Sequence, residues 1–366
     1  MINLQFFPSR RIAFYMARLF LTRSLAVLIA LVGILMMLDL LGNSGTILAH
    51  PGNGDAELWR YVGLRIPQLI ARFLPFSVLL GALIALAGLN QNSEIISMKA
   101  AGISAHQIIA PLILAAGLIA IVHFFFVERV VTRATAALSA WDAVEYGPVP
   151  AEGNIRGNVA IVHGDDLIFV RLVAGQSRNV RLAGVTVYDR AGGTLRHILT
   201  GERGRLAPGG GWRLSNATLF NVDSGRLQRM AQVEFGRGID PAQFTLAQVN
   251  PDEQNFWRLR RSIGELNAAD RATAMLEANL WHKIAGPFST VLMPLLAAVA
   301  AFGLARSGQL MVRVVIGMAL GFAYFVADNF ALAMGNLGAY PPFLAAWGPF
   351  LLFLLVGEAV LIRTEE

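Results

Sequence analysis

Six stretches of the chain stay apolar for about 20 residues each, the length an α-helix needs to cross a hydrocarbon core. They run approximately from Phe20 to Leu41, Ile66 to Leu89, Ile108 to Val127, Ile284 to Leu304, Val312 to Met334 and Pro342 to Ile362. Each is predicted to be a transmembrane helix, the first of them uncleaved. Basic residues in short flanking loops stay on the cytoplasmic side. Arg10, Arg11, Arg18, Arg23, Lys99, Arg306, Arg313 and Arg363 fall on one side of this arrangement, against mainly Arg60 and Arg65 on the other. Both termini and the loop around Lys99 are therefore expected in the cytoplasm, and the long segment between spans three and four outside it.

In that long segment the period changes. Val159 to Val162, Leu167 to Leu172, Val185 to Tyr188, Trp212 to Phe220 and Leu227 to Phe235 are short and rich in β-branched or aromatic residues. Turn signals at Gly164-Asp165, Ala191-Gly192-Gly193, Pro208 to Gly211 and Asp223-Ser224-Gly225 separate them. The fold class expected is a membrane protein of six transmembrane α-helices with an inserted periplasmic antiparallel β-domain, a sandwich or an open jelly roll. By chain order, residues 1–128 hold spans one to three, 129–280 the β-domain with a helical connector, and 281–366 spans four to six. Helical periodicity returns from Ser262, with Asp270 placed to cap the helix leading into the fourth span.

Composition agrees: 55% hydrophobic and 15% charged residues are far from the balance of a soluble domain. The formal charge of +6 is almost all Arg, since Lys99 and Lys283 are the only lysines. In a chain this apolar, the excess points to anionic lipid headgroups rather than nucleic acid. With no cysteine, the chain can hold neither a disulfide nor a thiolate metal site.

Enzymatic signatures are missing. Neither lysine follows Gly and precedes Ser or Thr as a phosphate-cradling loop requires, the six histidines form no HExxH pair, and no GxSxG turn presents a serine. The loop between spans two and three, Asn90 to Ser104, is richer. Asn92 or Ser93 can cap a helix, Glu94 stands in its first turn where the dipole favours an anion, and Gly102 provides a stop. It reads as a short surface helix over about 92–102, or as a plain connector.

The matching pieces are Pro75 to Ala82, Ser93-Glu94, Lys99 to Ser104, Trp281 to Pro287, and Val312 to Gly317 followed by Gly321-Phe322, Tyr324 and Asp328. In this order and topology the chain resembles the LptF/LptG family of lipopolysaccharide-export permeases. Trp281-x-Lys283-Ile284-x-x-Pro287 is nearer the LptG branch, with an LptF-like identity as the alternative. The resemblance implies a permease subunit that extracts a lipopolysaccharide-type glycolipid from the inner membrane and passes it to a periplasmic LptC/LptA-like bridge. It implies a homologous six-span LptF-like partner and an LptB-like cytoplasmic ATPase dimer. ATP and Mg would be bound by that ATPase, and no cofactor by this chain. The loop helix would dock on the ATPase through Ser93, Glu94, Ile95, Met98, Lys99 and Gly102, with Ile95 and Met98 as apolar grip and Glu94 fixing register.

Charges inside spans are expensive and point to function by default. At 1.5 Å per residue, Arg72 and Asp328 each lie roughly 9 Å inside the outer ends of their spans, so they are candidates to pair, with Asp39 nearby. The alternative for Arg72 is snorkelling to the headgroups. Glu358 is expected to meet Arg306 or Arg313. The family's LptG members often carry lysines near the outer end of the first helix, but Met36 to Asn43 contains none. Either the lipid is less phosphorylated or Arg60, Arg65, Arg72 or Arg133 supplies the charge. A rival of another class is a membrane-anchored periplasmic scaffold or sensor, which would need neither a coupling helix nor charges at matched depth.

Overall fold

The computed structural model describes residues 9–148, 156–175, 179–207, 209–246, 249–268, 271–303 and 310–363. Among them, six helices are long and apolar enough to cross a membrane. The chain divides into two compact units: Met1–Asp39 with Arg65–Thr132 and Gln254–Glu366, and Leu40–Leu64 with Arg133–Glu253.

The first unit gathers α1 (Arg10–Ala49) and α2 (Asp55–Gln91) up to and from the unit boundary, α3 (Glu94–Ala100), α4 (Ala105–Phe126), α7 (Phe256–Ala268), α8 (Ala274–Ala298), α9 (Leu310–Asn336) and α10 (Pro342–Arg363). Met16 and Phe20 of α1, Val78 to Leu89 of α2, Ile108 to Ala116 of α4, and Leu292 to Ala298 of α8 form one buried core, joined by Tyr324 and Leu361. The start of α4 is fixed by a capping box, in which Gln107 N donates to Ser104 Oγ at 3.2 Å and Ser104 N donates to Gln107 Oε1 at 3.1 Å. Prolines 67, 75, 111, 287, 294 and 349 lie inside helices, which a membrane bundle tolerates because neighbouring groups satisfy the freed backbone. The helix of the third span continues past Val127, through a π-helical turn, Val127–Val131, into α5 (Thr132–Asp142). Asp270 and Arg306 lie outside the described residues, as does the side chain of Arg313. The helix into the fourth span starts instead from Thr273.

In the second unit, β1 (Arg156–His163), β2 (Asp166–Ala174), β3 (Arg181–Ala191), β4 (Thr194–Leu206), β5 (Trp212–Asn221) and β6 (Leu227–Phe235) form one antiparallel sheet. Each strand pairs with its sequence neighbours, order β1-β2-β3-β4-β5-β6. Of the two expected arrangements, this continuous meander favours the open one, since a sandwich divides its strands between two sheets. One face buries Val159, Ile168, Val170, Leu182, Val185, Leu199 and Leu214, and Trp212 closes it by donating to Ile239 O at 3.1 Å and meeting Phe244 of α6 (Pro241–Leu246) edge-on.

β4 was not predicted. Its sequence is polar and carries Gly201 and Gly204, which argue against a strand. Both glycines are buried, and a Cβ at either position would lie 3.0–3.1 Å from Leu214 or Leu182 side-chain carbons. The missing side chains make room for those leucines, so the strand is specified by its neighbours.

Candidate coupling helix and charged pairs

The loop helix exists as α3, seven residues long. Ser93 occupies the N-cap position with φ 59°, a left-handed conformation, and makes no side-chain capping bond. Its predicted role as a hydroxyl cap is thus corrected: a cap side chain reaches the N2 or N3 amide from extended backbone, which this residue does not adopt. The other end follows expectation. Gly102, at φ +84°, donates its N–H to Lys99 O at 2.9 Å, and Ile103 donates to Met98 O at 3.1 Å, the paired bonds of a Schellman stop.

The helix faces differ from the sequence reading. Ile95 is 4% exposed and Met98 packs on the same core, so the two expected to grip a partner hold α3 to its own chain. Residues three apart share a helix face, which turns Ile96, 62% exposed, outward with Ser97, Lys99 and Ala100. Glu94 Oε1 accepts from Tyr15 Oη at 3.3 Å, tying α3 to α1. The Lys99 ammonium stands 5.2 Å from the Phe302 ring centroid. Ile96 could have been found from the sequence by assigning the helix phase.

The charged residues pair otherwise than expected. Asp328 on α9 meets His282 on α8, with Nε2 3.0 Å from Oδ2, not Arg72. Arg72 is exposed on α2. Asp39 on α1 receives both arms of Arg65 on α2, at 2.8 and 3.1 Å, and Arg65 also donates to Gln68 at 2.8 Å. Glu358 on α10 meets His106 on α4 at 3.2 Å; its expected contacts with Arg306 and Arg313 fall on side chains outside the described residues. In the second unit, Arg60 lies over the Trp141 ring, 4.4 Å from its centroid, and Arg133 is exposed.

Sequence reasoning missed Glu128 and Lys283. Both side chains are about nine-tenths buried, with Nζ 4.0 Å from Oε1, while Glu128 Oε2 accepts from Phe256 N at 2.6 Å. The carboxylate, set in the π-helical turn, therefore links α4, α7 and α8. Lys283 enters the sequence reading as one of two lysines and within the family-like stretch, but nothing local in the sequence marks Glu128 as its partner.

The sheet lines a half-open hollow of about 280 Å³ with Ile168, Val187, Leu199, Leu219, Phe235 and Ile239, and with His163, Asp166, Asp189 and His197 also on its wall. His197 is held by Asp189, with Nδ1 2.8 Å from Oδ2. Among the described residues, no group of His, Cys, Asp or Glu is arranged to hold a metal.

Residues 14–363 match the model of the family described as "Lipopolysaccharide export system permease LptF/LptG". The chain is 25% identical over 350 residues to the lipopolysaccharide export system permease protein LptG of Escherichia coli strain K12, covering 93% of this chain and 94% of that protein. It is 24% identical over 362 residues to the LptG protein of Haemophilus influenzae, covering 96% and 98%.

Proposed function

The chain belongs to the lipopolysaccharide export system permease LptF/LptG family, and from that premise we propose that it is the LptG-like subunit of an ATP-driven exporter, coupled through α3. It is an inner-membrane permease subunit. In this reading both termini and α3 face the cytoplasm, and the β-domain stands in the periplasm. A second, LptF-like six-span chain completes a lipid-sized cavity. Two copies of a separate LptB-like ATPase bind ATP and Mg. Lipid of the lipopolysaccharide type leaves the membrane between the permeases and reaches an LptC/LptA-like bridge, which adds strands at an open edge of the sheet.

The observation that carries this reading is the two-faced packing of α3. Its inner residues lock it to α1, α2 and α4, and its outer face presents one large apolar side chain beside Lys99 and Glu94. A short helix built this way transmits force: it moves with the spans when a partner moves it. Arg65 is engaged by Asp39, which leaves Arg72 and Arg133, each exposed, as the cations offered to a lipid phosphate.

The test is affinity purification of the chain from native membranes in mild detergent, with mass spectrometry of proteins and lipids. The wild-type chain should bring down an ATPase, a second six-span permease and a glycolipid, and Ile96→Asp should lose the ATPase while keeping the permease. Recovery of periplasmic partners alone would turn the reading to a scaffold, and an ATPase retained by both Ile96→Asp and Glu94→Arg would refute coupling through α3.

A further inference from the structure

α7 is the most strongly amphipathic helix of the first unit, and the family assignment does not account for its outer face. Leu259, Ile263 and Leu266 are buried, and the helix packs along α8. Its start is held by three bonds: Arg258 N donates to Asn255 Oδ1 at 2.9 Å, Leu259 N to Asn255 O at 2.9 Å, and Phe256 N to the Glu128 carboxylate. The inner face is thereby satisfied and fixed.

The outer face carries Trp257, 70% exposed, with Arg258, Arg260 and Arg261 exposed around it and Glu265 as the one acid of the helix. Arg271 follows, also exposed, in the connector to α8. None of these arginines has a salt-bridge partner among the described residues. Only a few residues separate α7 from Ala274, where a membrane-spanning helix begins. So short a connector suits α7 to the membrane–water boundary at the start of the fourth span. Indole and guanidinium groups at that level match the chemistry of an anionic bilayer surface: the ring sits among headgroups and the cations meet phosphates.

We propose that α7 is an interfacial anchor whose Trp257, Arg258, Arg260 and Arg261 bind the headgroups of anionic glycerophospholipids in the surrounding leaflet. Fixed by Asn255 and Glu128, it gives the helical unit a lipid-sensitive foot at the start of the fourth span. This contact needs no transport substrate and no ATPase.

The chain has no cysteine, so Gly264→Cys creates a single labelling site on the same outer face, and a Cβ there meets nothing within 4 Å. The full chain carrying a nitroxide at this position is placed in nanodiscs of phosphatidylcholine alone, or of equal parts phosphatidylcholine and phosphatidylglycerol. Coverage of the label by lipid is read from collisional relaxation by oxygen and by a nickel chelate. With α7 held in place, headgroups gathering over it in the anionic discs should cut collisions with the nickel chelate about threefold relative to those with oxygen. That shift should vanish in the triple variant Arg258→Glu/Arg260→Glu/Arg261→Glu, and also on raising salt to about 1 M with the wild-type arginines, where charges are screened within about 3 Å. Equal chelate access in the two compositions, whether the label is in water or buried against protein, would overturn the proposal, as would a shift that survives salt.

Discussion

His282 Nε2 lies 3.0 Å from Asp328 Oδ2, tying α8 to α9. The carboxylate side chain is 16% exposed and the imidazole 27%, so each has replaced most of its water with the other. Asp328→Ala should lower the stability of the purified chain by about 1–3 kcal/mol, because it leaves the imidazole without its acceptor. Asp328→Asn should do less, since an amide oxygen still accepts from Nε2–H. Arg72→Gln should leave the thermal midpoint unchanged, and exchanging the charges of Arg72 and Asp328 should rescue nothing. Thermal unfolding in detergent reads all four.

Asp39 and Arg65 make the other inter-helix pair, with two parallel bonds. A lysine keeps the charge but cannot form the fork. Arg65→Lys should therefore weaken the pair, and a double-mutant cycle with Asp39→Ala should return a coupling of about 1–2 kcal/mol, with Arg65→Lys recovering less than half of it. A cycle near zero would show that the two-bond geometry of this pair carries no energy.

The two isoleucines of α3 should separate stability from partner binding. Ile95→Ala removes a side chain that is 4% exposed and should destabilise the chain by about 2–4 kcal/mol. Ile96→Ala, from a side chain 62% exposed, should stay within about 0.5 kcal/mol of wild type while weakening ATPase recovery. Unfolding curves of the two variants, set beside their pull-downs, check both halves.

What the sequence disclosed depended on the length of the signal. Long apolar runs announce spans because few soluble alternatives need about 20 such residues, and the meander's β-branched strands stand out between glycine turns. Facing and pairing were less legible. Asp39 and Arg65 are equidistant from Gly52 in the turn between α1 and α2, a relationship available in the sequence, yet depth counting alone favoured Arg72 with Asp328. β4 was hidden because Gly201 and Gly204 contribute space rather than side chains. Glu128 was hidden because its partners Lys283 and Phe256 are remote in sequence and only a π-helical turn aims it at them.

Gly81 and Gly88 on α2 give a comparison within one span. A Cβ at Gly81 would fall on the backbone of Ser24 in α1, whereas one at Gly88 would meet nothing within 4 Å. Small residues at such crossings let helix backbones approach closely, which is how spans gain packing where lipid offers the same apolar surroundings. Gly81→Ala should force α1 away from α2 and lower stability by about 2 kcal/mol or more. Gly88→Ala should be neutral or slightly stabilising, because alanine restricts the unfolded chain without meeting an obstacle. The decisive reading is the difference between the two thermal midpoints. A Gly81→Ala chain as stable as Gly88→Ala would mean that α1 moves freely against α2, and that the close approach at Ser24 does not hold the first span in place.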